Sequence, residues 1–460
     1  MSPGLSAKSL LSRLRPAPSF SGGVHPEQAK SLTRDKPIRQ FAFAPVMNLP
    51  LAQHIGNPAI PVVREGQEVV RGQLLAKPDG FVSVALHAPA SGVIQRIGLM
   101  PSVAGKMVEG VYLQPFPGST QEVIEGEPCL PDESSVGQII SAIQNAGIVG
   151  LGGAAFPTHV KLNIPSDKRV DTLIINGAEC EPYLTNDYRV MLEQQQDVFT
   201  GIEYLRKVTG AQRTIIGIED NKQDAADSLK TYWQKNRASS SAAIEVVVVK
   251  TKYPQGAEKM LIEAVLGKAV PAGALPLDVH VVSVNVSTAA EIGRLLPHGR
   301  GIQERIITIS GPAVEKPGNY RIPIGTPLRF ALEQVGVKEN LSQVFLGGPM
   351  MGQALPSLDI PITKGTSGFV AFTDNEMRVT AKEYPCIRCA YCVDVCPMSL
   401  NPAQLGLLAR NKHYDTMRDQ FHLSDCFECG SCSYVCPSDI PLVQSFRAAK
   451  SMARKTLESA

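Results

Sequence analysis

Two copies of one cysteine motif near the C-terminus constrain this chain more than any other feature. Eight of its ten cysteines lie in these copies, and each copy has the spacing C-x2-C-x2-C-x3-C followed by proline. The first copy runs from Cys386 to Pro397 and the second from Cys426 to Pro437. Three closely spaced thiolates and a fourth beyond them, repeated once, are typical of two 4Fe–4S clusters. The sequence therefore predicts a module that carries single electrons.

The fourth cysteine of each copy is expected to ligate the cluster of the other copy, because this crossing is typical of two-cluster ferredoxins. The predicted ligand sets are Cys386, Cys389, Cys392 and Cys436 for one cluster, and Cys426, Cys429, Cys432 and Cys396 for the other. Zinc and disulfide bonds are the alternatives, but zinc usually takes two separated cysteine pairs for each ion. The clusters need a reducing compartment, so we expect a cytosolic chain.

Length and charge limit the class of protein. At 460 residues the chain is too long for one hydrophobic core, so two to four domains are expected. Its 45 basic and 43 acidic residues leave a net charge of +2, which indicates no general nucleic-acid surface. The apolar runs, such as Val246–Val249, are far shorter than the ~18 residues of a membrane span, and the N-terminus does not have the pattern of a signal peptide.

We predict a multidomain α/β protein that begins with an arm and a small β module. Residues 1–45 are polar and rich in proline and glycine, as in an extended arm. Residues 46–130 hold short β-rich runs separated by glycines, and this spacing resembles the biotinyl/lipoyl barrel-sandwich hybrid fold. The hairpin tip where that family carries its modified lysine reads Asp79–Ser83 here. We therefore expect a structural or docking module without a covalent swinging arm.

The rest of the chain divides into three further domains and a terminal helix. Residues 131–300 alternate between helical periodicity and short β-branched runs, which predicts a Rossmann-like domain with a mostly parallel sheet. Residues 301–375 combine strands and one helix, as in a small β-grasp module. Residues 376–445 contain both cysteine motifs, and the helical stretch Pro402–Arg410 between them predicts an α-helical ferredoxin domain. A C-terminal helix is expected over 446–460.

A second group of candidate residues lies in the predicted α/β domain. Gly150–Lys161 is a glycine-rich segment directly after a helix, and its backbone amides with the Lys161 charge would suit a phosphate. A simple turn is the alternative. The run Asn176–Pro182 follows the predicted strand Thr172–Ile175, at the edge where open α/β sheets bind ligands. Its two glutamates are interpreted as ligand-positioning groups, with turn-capping carboxylates as the alternative.

These segments resemble the flavin site of the NADH-binding flavoprotein subunit of respiratory complex I, whose matching stretches read GRGGAGFPTGxK and NADExEP. Tyr253–Lys259 is similar to that subunit's YICGEET, and Asn285–Thr288 to its NVET. Over nearly its whole length the chain resembles the C subunits of the Rnf/Rsx electron-transport complexes more closely. That likeness is carried, in chain order, by GGVHP from residue 22, PLAQHIG from 50, GLGGAAFPTHVKL from 150, ECEPYLT from 179, KYPQGAEK from 252, the β-grasp (SLBB-like) module and both cysteine motifs.

The resemblance implies bound FMN and NAD(H) as the substrate. A flavin also fits the chemistry, because NADH delivers two electrons as hydride whereas the clusters accept one at a time. No catalytic acid, base or nucleophile is predicted. The residues that the resemblance assigns to cofactor binding are Gly150, Gly152, Gly153, Lys161, Asn176, Glu179, Glu181, Glu258, Asn285 and Thr288. Leu151, Ala178 and Ala257 replace an arginine, an aspartate and a glutamate of the complex I pattern, which leaves fewer acidic groups for nicotinamide.

The resemblance further implies a peripheral subunit on the cytoplasmic side of the cell inner membrane. Its complex would couple electron transfer between NAD(H) and ferredoxin, or a related low-potential acceptor, to ion translocation. The expected partners are the other subunits, including a ferredoxin-like one. Two alternatives stay open: a soluble flavin and iron–sulfur cobalamin reductase, and a non-catalytic electron-relay subunit. A barrel-like domain precedes the flavin domain here, whereas the flavin domain comes first in the cobalamin reductases, so the domain order favours the Rnf-like assignment.

Overall fold

The computed structural model describes residues 17–458 apart from 104, 154, 237–242 and 378–381. The first part of the predicted arm, up to residue 16, lies outside the described residues, as do the last two residues of the predicted C-terminal helix. The strands are β1 (Ile38–Gln40), β2 (Met47–Pro50), β3 (Ile60–Pro61), β4 (Glu68–Val69), β5 (Leu74–Lys77), β6 (Leu86–His87), β7 (Gly92–Pro101), β8 (Met107–Pro115), β9 (Thr172–Gly177), β10 (Arg213–Glu219), β11 (Ala243–Val249), β12 (Val281–Asn285), β13 (Glu304–Ser310), β14 (Gly318–Pro323), β15 (Leu341–Leu346), β16 (Gln353–Ala354) and β17 (Gly368–Thr373).

The α-helices concentrate after the β-rich N-terminal region. They are α1 (Val136–Asn145), α2 (Thr158–Leu162), α3 (Asn186–Glu193), α4 (Gln195–Thr209), α5 (Gln223–Asn236), α6 (Glu258–Leu266), α7 (Val286–Leu295), α8 (Leu328–Val335), α9 (Tyr391–Asp394), α10 (Pro402–Arg410), α11 (Tyr414–Asp419), α12 (Ser431–Tyr434) and α13 (Leu442–Glu458). Among the described residues, no helix has the length and apolar character that crossing a membrane requires.

Two small antiparallel sheets form the predicted barrel-sandwich module. One has the strand order β2-β8-β7-β4 and the other β3-β5-β6. Alternate residues of the central strands point inwards, so Leu49, Ile94 and Leu113 are fully buried between the sheets. Close packing also explains a glycine in β8, since a Cβ on Gly110 would come within 2.7 Å of the Leu49 carbonyl oxygen. The barrel-sandwich prediction is confirmed.

A four-stranded parallel sheet with the order β11-β10-β9-β12 forms the centre of the α/β domain. Its strands are rich in β-branched residues, and β9 is buried on both faces because helices cover both sides. Successive strands β9, β10 and β11 extend in one direction, and β12 then pairs with the opposite side of β9. The strand order therefore reverses between β9 and β12, which creates a crevice at the carboxyl ends of those strands.

The β-grasp module is a six-stranded mixed sheet with the order β1-β14-β13-β17-β15-β16 and one covering helix. Helix α8 buries its apolar face, which consists of Leu328, Ala331, Leu332 and Val335, against that sheet. The edge strand β1 comes from the N-terminal arm and pairs in parallel with β14. The arm therefore contributes an edge strand to this sheet and also extends across the neighbouring domains.

The cysteine motifs lie in a helical domain whose core is small. Leu405, Met417, Leu423 and Phe446 are among its most deeply buried apolar side chains. Helix α13 begins at Leu442, four residues before the predicted start at 446. The earlier start follows from Ser433, whose hydroxyl oxygen accepts the Val443 N–H at 3.0 Å and satisfies an amide of the first helical turn. The α-helical ferredoxin prediction is confirmed.

Candidate functional site

The glycine-rich loop between α1 and α2 presents two free amides to solvent. The Gly150 N–H closes the base of the loop by donating to a carbonyl across it at 2.8 Å. The Leu151 N–H donates to Thr288 Oγ1 at 2.9 Å, so Thr288 holds the loop against helix α7. Gly152 and Gly153 are exposed, and their N–H groups have no acceptor among the described residues. Neighbouring amides of this kind form an anion-binding concavity.

The loop lies over the crevice where the strand order reverses. Asn176 at the end of β9 is directly paired with Asn285 at the end of β12. Gly152 packs on Asn285, and a Cβ on Gly152 would come within 2.4 Å of Asn285 Nδ2, so a larger residue would displace the asparagine. The structure therefore brings the loop and both predicted asparagines together at the edge where open α/β sheets bind ligands.

Each asparagine is fixed by hydrogen bonds from both ends of its amide. Asn285 caps helix α7, because its Oδ1 accepts from the N–H groups of Ser287 at 2.9 Å and Thr288 at 3.2 Å. Asn176 Nδ2 donates to the Gly256 carbonyl oxygen at 2.8 Å. This bond joins the end of β9 to the segment 252–259. Both of these segments resemble parts of one flavin site, so the resemblance implies that they lie together. Groups fixed in this way orient a ligand without further loss of side-chain entropy.

Asp187 is a central residue of the site that the sequence analysis missed. Its carboxylate accepts from Asn285 Nδ2 at 2.7 Å and from Ser287 Oγ at 2.5 Å. Its own N–H donates to Glu179 Oε1 at 2.8 Å. Burial raises the pKa of Asp187, and the hydrogen bonds from Ser287 and Asn285 oppose that shift. An acidic residue in the first turn of a helix usually indicates only capping, so nothing in the sequence distinguished this one.

Glu179 is buried beneath the crevice and does not face solvent. Burial is the main cause that raises its pKa to about 7, and the Asp187 carboxylate adds to this, whereas Lys30 and Lys222 oppose it. Lys30 belongs to the N-terminal arm, and its Nζ lies 3.9 Å from Glu179 Oε2. The same ammonium group donates to the Leu184 carbonyl oxygen at 2.6 Å. The arm thus places a buried cation beside the predicted flavin domain.

Glu181 faces the β-grasp module. Its carboxylate accepts from the N–H groups of Met351 at 2.8 Å and Met350 at 3.2 Å, in the loop between β15 and β16. The Tyr253 hydroxyl lies 3.4 Å from the same carboxylate. Burial raises the pKa of Glu181, and the two backbone hydrogen bonds oppose this. Glu181 therefore joins the α/β domain to the β-grasp module.

Lys161 and Glu258, which were predicted separately, form an ion pair. Lys161 Nζ lies 2.5 Å from Glu258 Oε1, and about a third of each side chain is exposed. Lys161 projects from α2, directly after the glycine-rich loop, and Glu258 begins helix α6. The structure brings these two residues to the rim of the crevice, where the glutamate already balances the charge of the lysine.

The eight motif cysteines surround two separate cavities. One cavity is lined by Cys386, Cys389, Cys392 and Cys436, and the other by Cys396, Cys426, Cys429 and Cys432. This grouping has the crossed arrangement predicted from the spacing. No group of three or more His, Cys, Asp or Glu in the described part of the chain is placed to hold a single metal ion. Four thiolates spread around a cavity fit a 4Fe–4S cluster, in which the ligands bind different irons.

The two cavities differ in their surroundings. The second motif packs on the predicted flavin domain, where the Tyr253 hydroxyl donates to the Cys429 carbonyl oxygen at 2.6 Å. It also packs on the β-grasp loop, since a Cβ on Gly430 would come within 2.9 Å of the Met350 carbonyl oxygen. Cys386 of the first motif is exposed, and the next residue, Ile387, is 67% exposed. One cavity therefore faces the interior of the molecule and the other its surface.

Four family models match consecutive parts of the chain. They are described as the RnfC barrel sandwich hybrid domain, over residues 18–115, the Nuo51 FMN-binding domain, over 143–294, the SLBB domain, over 306–354, and the 4Fe-4S dicluster domain, over 385–440. The FMN-binding match contains the glycine-rich loop and both asparagines, and the dicluster match contains all eight motif cysteines. These domains support FMN and two 4Fe–4S clusters as the cofactors.

Curated relatives match most of the chain. The C subunit of the proton-translocating ferredoxin:NAD(+) oxidoreductase complex of Clostridium ljungdahlii is 43% identical over 410 residues, which is 88% of each chain. This chain belongs to the family of Rnf complex C subunits. Another family member, the C subunit of the Na(+)-translocating ferredoxin:NAD(+) oxidoreductase complex of Acetobacterium woodii, is 40% identical over 86% of this chain and 88% of its own length.

A solved structure outside the Rnf C family shares part of the fold. The NAD+-reducing [NiFe]-hydrogenase in its H2-reduced state superposes with a TM-score of 0.51 and 20% identity, over 72% of this chain and 68% of the hydrogenase chain. The air-oxidized state gives a TM-score of 0.49 and covers 61% of that chain. At this identity the first superposition shows a common fold. The Rnf C family assignment rests on the sequence relatives.

Proposed function

We propose that this chain is a peripheral NADH-linked oxidoreductase subunit of a membrane-bound translocase. The complex couples electron transfer between NAD(H) and ferredoxin, or a related low-potential acceptor, to ion translocation. The chain acts on the cytoplasmic side of the cell inner membrane and exchanges electrons with a ferredoxin-like subunit. The names of the clostridial and acetogenic relatives support this proposal, and the domain limits predicted from the sequence are part of it.

The predicted cofactor residues take distinct roles in this proposal. The free amides of Gly152 and Gly153, with Lys161, bind the phosphate of FMN at the mouth of the crevice. Asn176 and Asn285 orient the flavin, because hydrogen bonds already fix both amides. When bound, FMN supplies the conversion between two-electron and one-electron transfer. The other predicted residues support the site without contacting the flavin. Gly150 and Thr288 fix the conformation of the loop, and Glu179 and Glu181 accept hydrogen bonds from adjoining segments. Glu258 forms an ion pair with Lys161.

The observation that carries the proposal is the contact between Tyr253 and Cys429. One hydroxyl lies within hydrogen-bond reach of a predicted flavin-site carboxylate, that of Glu181, and of the backbone of a predicted cluster ligand. We infer that the cluster held by Cys426, Cys429, Cys432 and Cys396 exchanges electrons with the flavin. The cluster held by Cys386, Cys389, Cys392 and Cys436 then faces the partner subunit, because its motif is the exposed one.

Membranes that contain the complex provide the test of this role. Washing with salt or mild detergent is expected to release the chain and to abolish NADH-dependent ferredoxin turnover by those membranes. Adding back the purified chain should restore the turnover, whereas the Cys429→Ala variant should not. Release only by strong detergent, or turnover that persists after the chain has gone, would contradict the proposed peripheral role.

A further inference from the structure

Arg305 is a buried cation directly behind the glycine-rich loop. It lies in β13 of the β-grasp module and is only 1% exposed. Its Nη2 donates to the Leu151 carbonyl oxygen at 3.1 Å and to the Thr366 carbonyl oxygen at 3.3 Å. Its Nε is buried without a hydrogen-bond partner. Burial lowers the pKa of Arg305 to about 10, although the carboxylates of Glu291 and Asp187 oppose the shift, so the guanidinium still carries its charge at neutral pH.

Arg305 differs from the neighbouring arginines in having no ion pair among the described residues. Arg71 and Arg321 pair with Glu304 at 2.7 and 3.2 Å, and Arg294 pairs with Glu291 at 2.6 Å. A buried charge without a partner is costly, so proteins rarely keep one unless another charge compensates it. The Glu291 and Asp187 carboxylates compensate this charge from a distance without pairing with it, so an anion that approaches from outside the chain would stabilise it further.

The hydrogen bond to Leu151 also orients the loop. In a trans peptide the carbonyl and the following N–H point in opposite directions. Because Arg305 holds the Leu151 carbonyl inwards, the Gly152 N–H is turned away from the guanidinium and towards the exposed side of the loop. The Leu151 N–H is meanwhile held inwards by Thr288. Arg305 thus stabilises the loop conformation in which the amide of Gly152 is free.

Lys161 alone does not provide a free positive charge at this loop. Its ammonium group is paired with Glu258 at 2.5 Å. Within the described part of the chain, the cation that adjoins the loop without an ion pair is Arg305, which belongs to a different module. Residue 151 is a leucine with a fully buried side chain, so the loop itself contributes no cationic side chain at that position.

We propose that Arg305 is the positioning residue that gives the glycine-rich loop its affinity for the phosphate of FMN. It acts from behind the loop, by its charge and by turning the Gly152 amide outwards, without contacting the flavin ring. This inference rests on the flavin site of the proposed function. It adds that the β-grasp module determines the preference for a phosphorylated flavin.

The test compares the affinities of FMN and riboflavin, because only FMN carries the phosphate. Protein that has been freed of flavin but keeps its clusters is titrated anaerobically with each flavin, and the quenching of flavin fluorescence is measured. Arg305→Gln is expected to weaken FMN binding about tenfold or more and to leave riboflavin binding unchanged. Arg305→Lys keeps the charge and should retain most of the preference. Arg329→Gln removes an exposed arginine of the same module and serves as the matched control.

Two outcomes separate this inference from the proposed function. If the wild-type protein binds FMN no better than riboflavin, and inorganic phosphate does not compete with FMN, the flavin site itself is misplaced. If the wild-type protein prefers FMN but folded Arg305→Gln keeps the full preference, Arg305 is only structural and the inference is overturned. Parallel losses of FMN and riboflavin affinity in both Arg305 variants would also overturn it.

Discussion

The hydroxyl of Tyr253 donates a hydrogen bond of 2.6 Å to the backbone carbonyl oxygen of Cys429. These residues are 176 positions apart, and they join the α/β domain to the second cysteine motif. Tyr253 is almost fully buried, so water does not replace this bond. A donor this close to a cluster ligand should influence one cluster and leave the other unaffected.

Tyr253→Phe should lower the potential of the cluster held by Cys426, Cys429, Cys432 and Cys396. Hydrogen bonds near a cluster favour its more negative reduced form, so their loss makes reduction harder. The expected change is a few tens of millivolts, less than the ~59 mV that a tenfold change represents for one electron. Redox titration followed by electron paramagnetic resonance measures both clusters. Tyr391→Phe, at an exposed position of the first motif, is the control, and equal shifts of both clusters in Tyr253→Phe would refute the assignment.

Cys396→Ala should damage the cluster on the second motif, although Cys396 belongs to the first. The side chain lines the cavity with Cys426, Cys429 and Cys432, so its loss removes one of four thiolates there. The reciprocal variant Cys436→Ala should damage the cluster on the first motif. Iron and sulfide content with the electron paramagnetic resonance spectrum of each variant distinguish the two clusters. Loss of the cluster nearer in sequence would contradict crossed ligation.

Lys161→Ala should weaken FMN binding by about 1.5–3 kcal/mol, which is roughly tenfold to hundredfold, because a charged contact to phosphate is lost. Glu258→Gln removes the partner that balances this lysine at 2.5 Å, so it should strengthen FMN binding or leave it unchanged. Equilibrium dialysis under limiting flavin measures both variants. Full FMN occupancy in Lys161→Ala would show that this lysine does not hold the phosphate.

Lys364 should make the protein more stable as the pH rises above 7. Its Nζ donates to the carbonyl oxygens of Ala85 and Gly147, which belong to two other domains, and burial lowers its pKa from 10.5 to about 7. Between these values the unfolded chain binds a proton that the folded chain does not, so the free energy of unfolding increases with pH. From pH 7 to 9 the contribution is about 2–3 kcal/mol.

Thermal unfolding of wild type and Lys364→Met at pH 7, 8 and 9 checks this pH dependence. The melting temperature of the wild type should rise relative to that of the variant as the pH increases. Lys106→Met, at an exposed position, serves as the control and should keep the pH dependence of the wild type. A constant difference between wild type and Lys364→Met across this range would contradict the prediction.

The sequence predicted those parts of the site that local spacing determines. Cysteine spacing predicted which four side chains would surround each cavity, and their ligation of iron stays a prediction. Asn176 and Asn285 could be predicted to lie together, because the carboxyl ends of parallel strands meet at one edge of a sheet. The four-domain architecture also followed from local periodicity, since each domain has its own pattern of strands and helices.

The contacts between distant segments could not be predicted in this way. Asp187 is 98 residues from Asn285 in sequence, and Arg305 is 154 residues from Leu151. A buried acid in a helix or a basic residue in a strand has no periodic signal that identifies its partner.

The most direct test of the proposed electron path is a stoichiometric NADH titration of the anaerobically purified chain. About eight iron, eight sulfide and one FMN per chain are expected from two 4Fe–4S clusters and one flavin site. NADH should bleach the flavin absorbance and then reduce the clusters of the same chain. A preparation with both clusters but no flavin, or with a flavin that NADH reduces while neither cluster changes, would contradict the account.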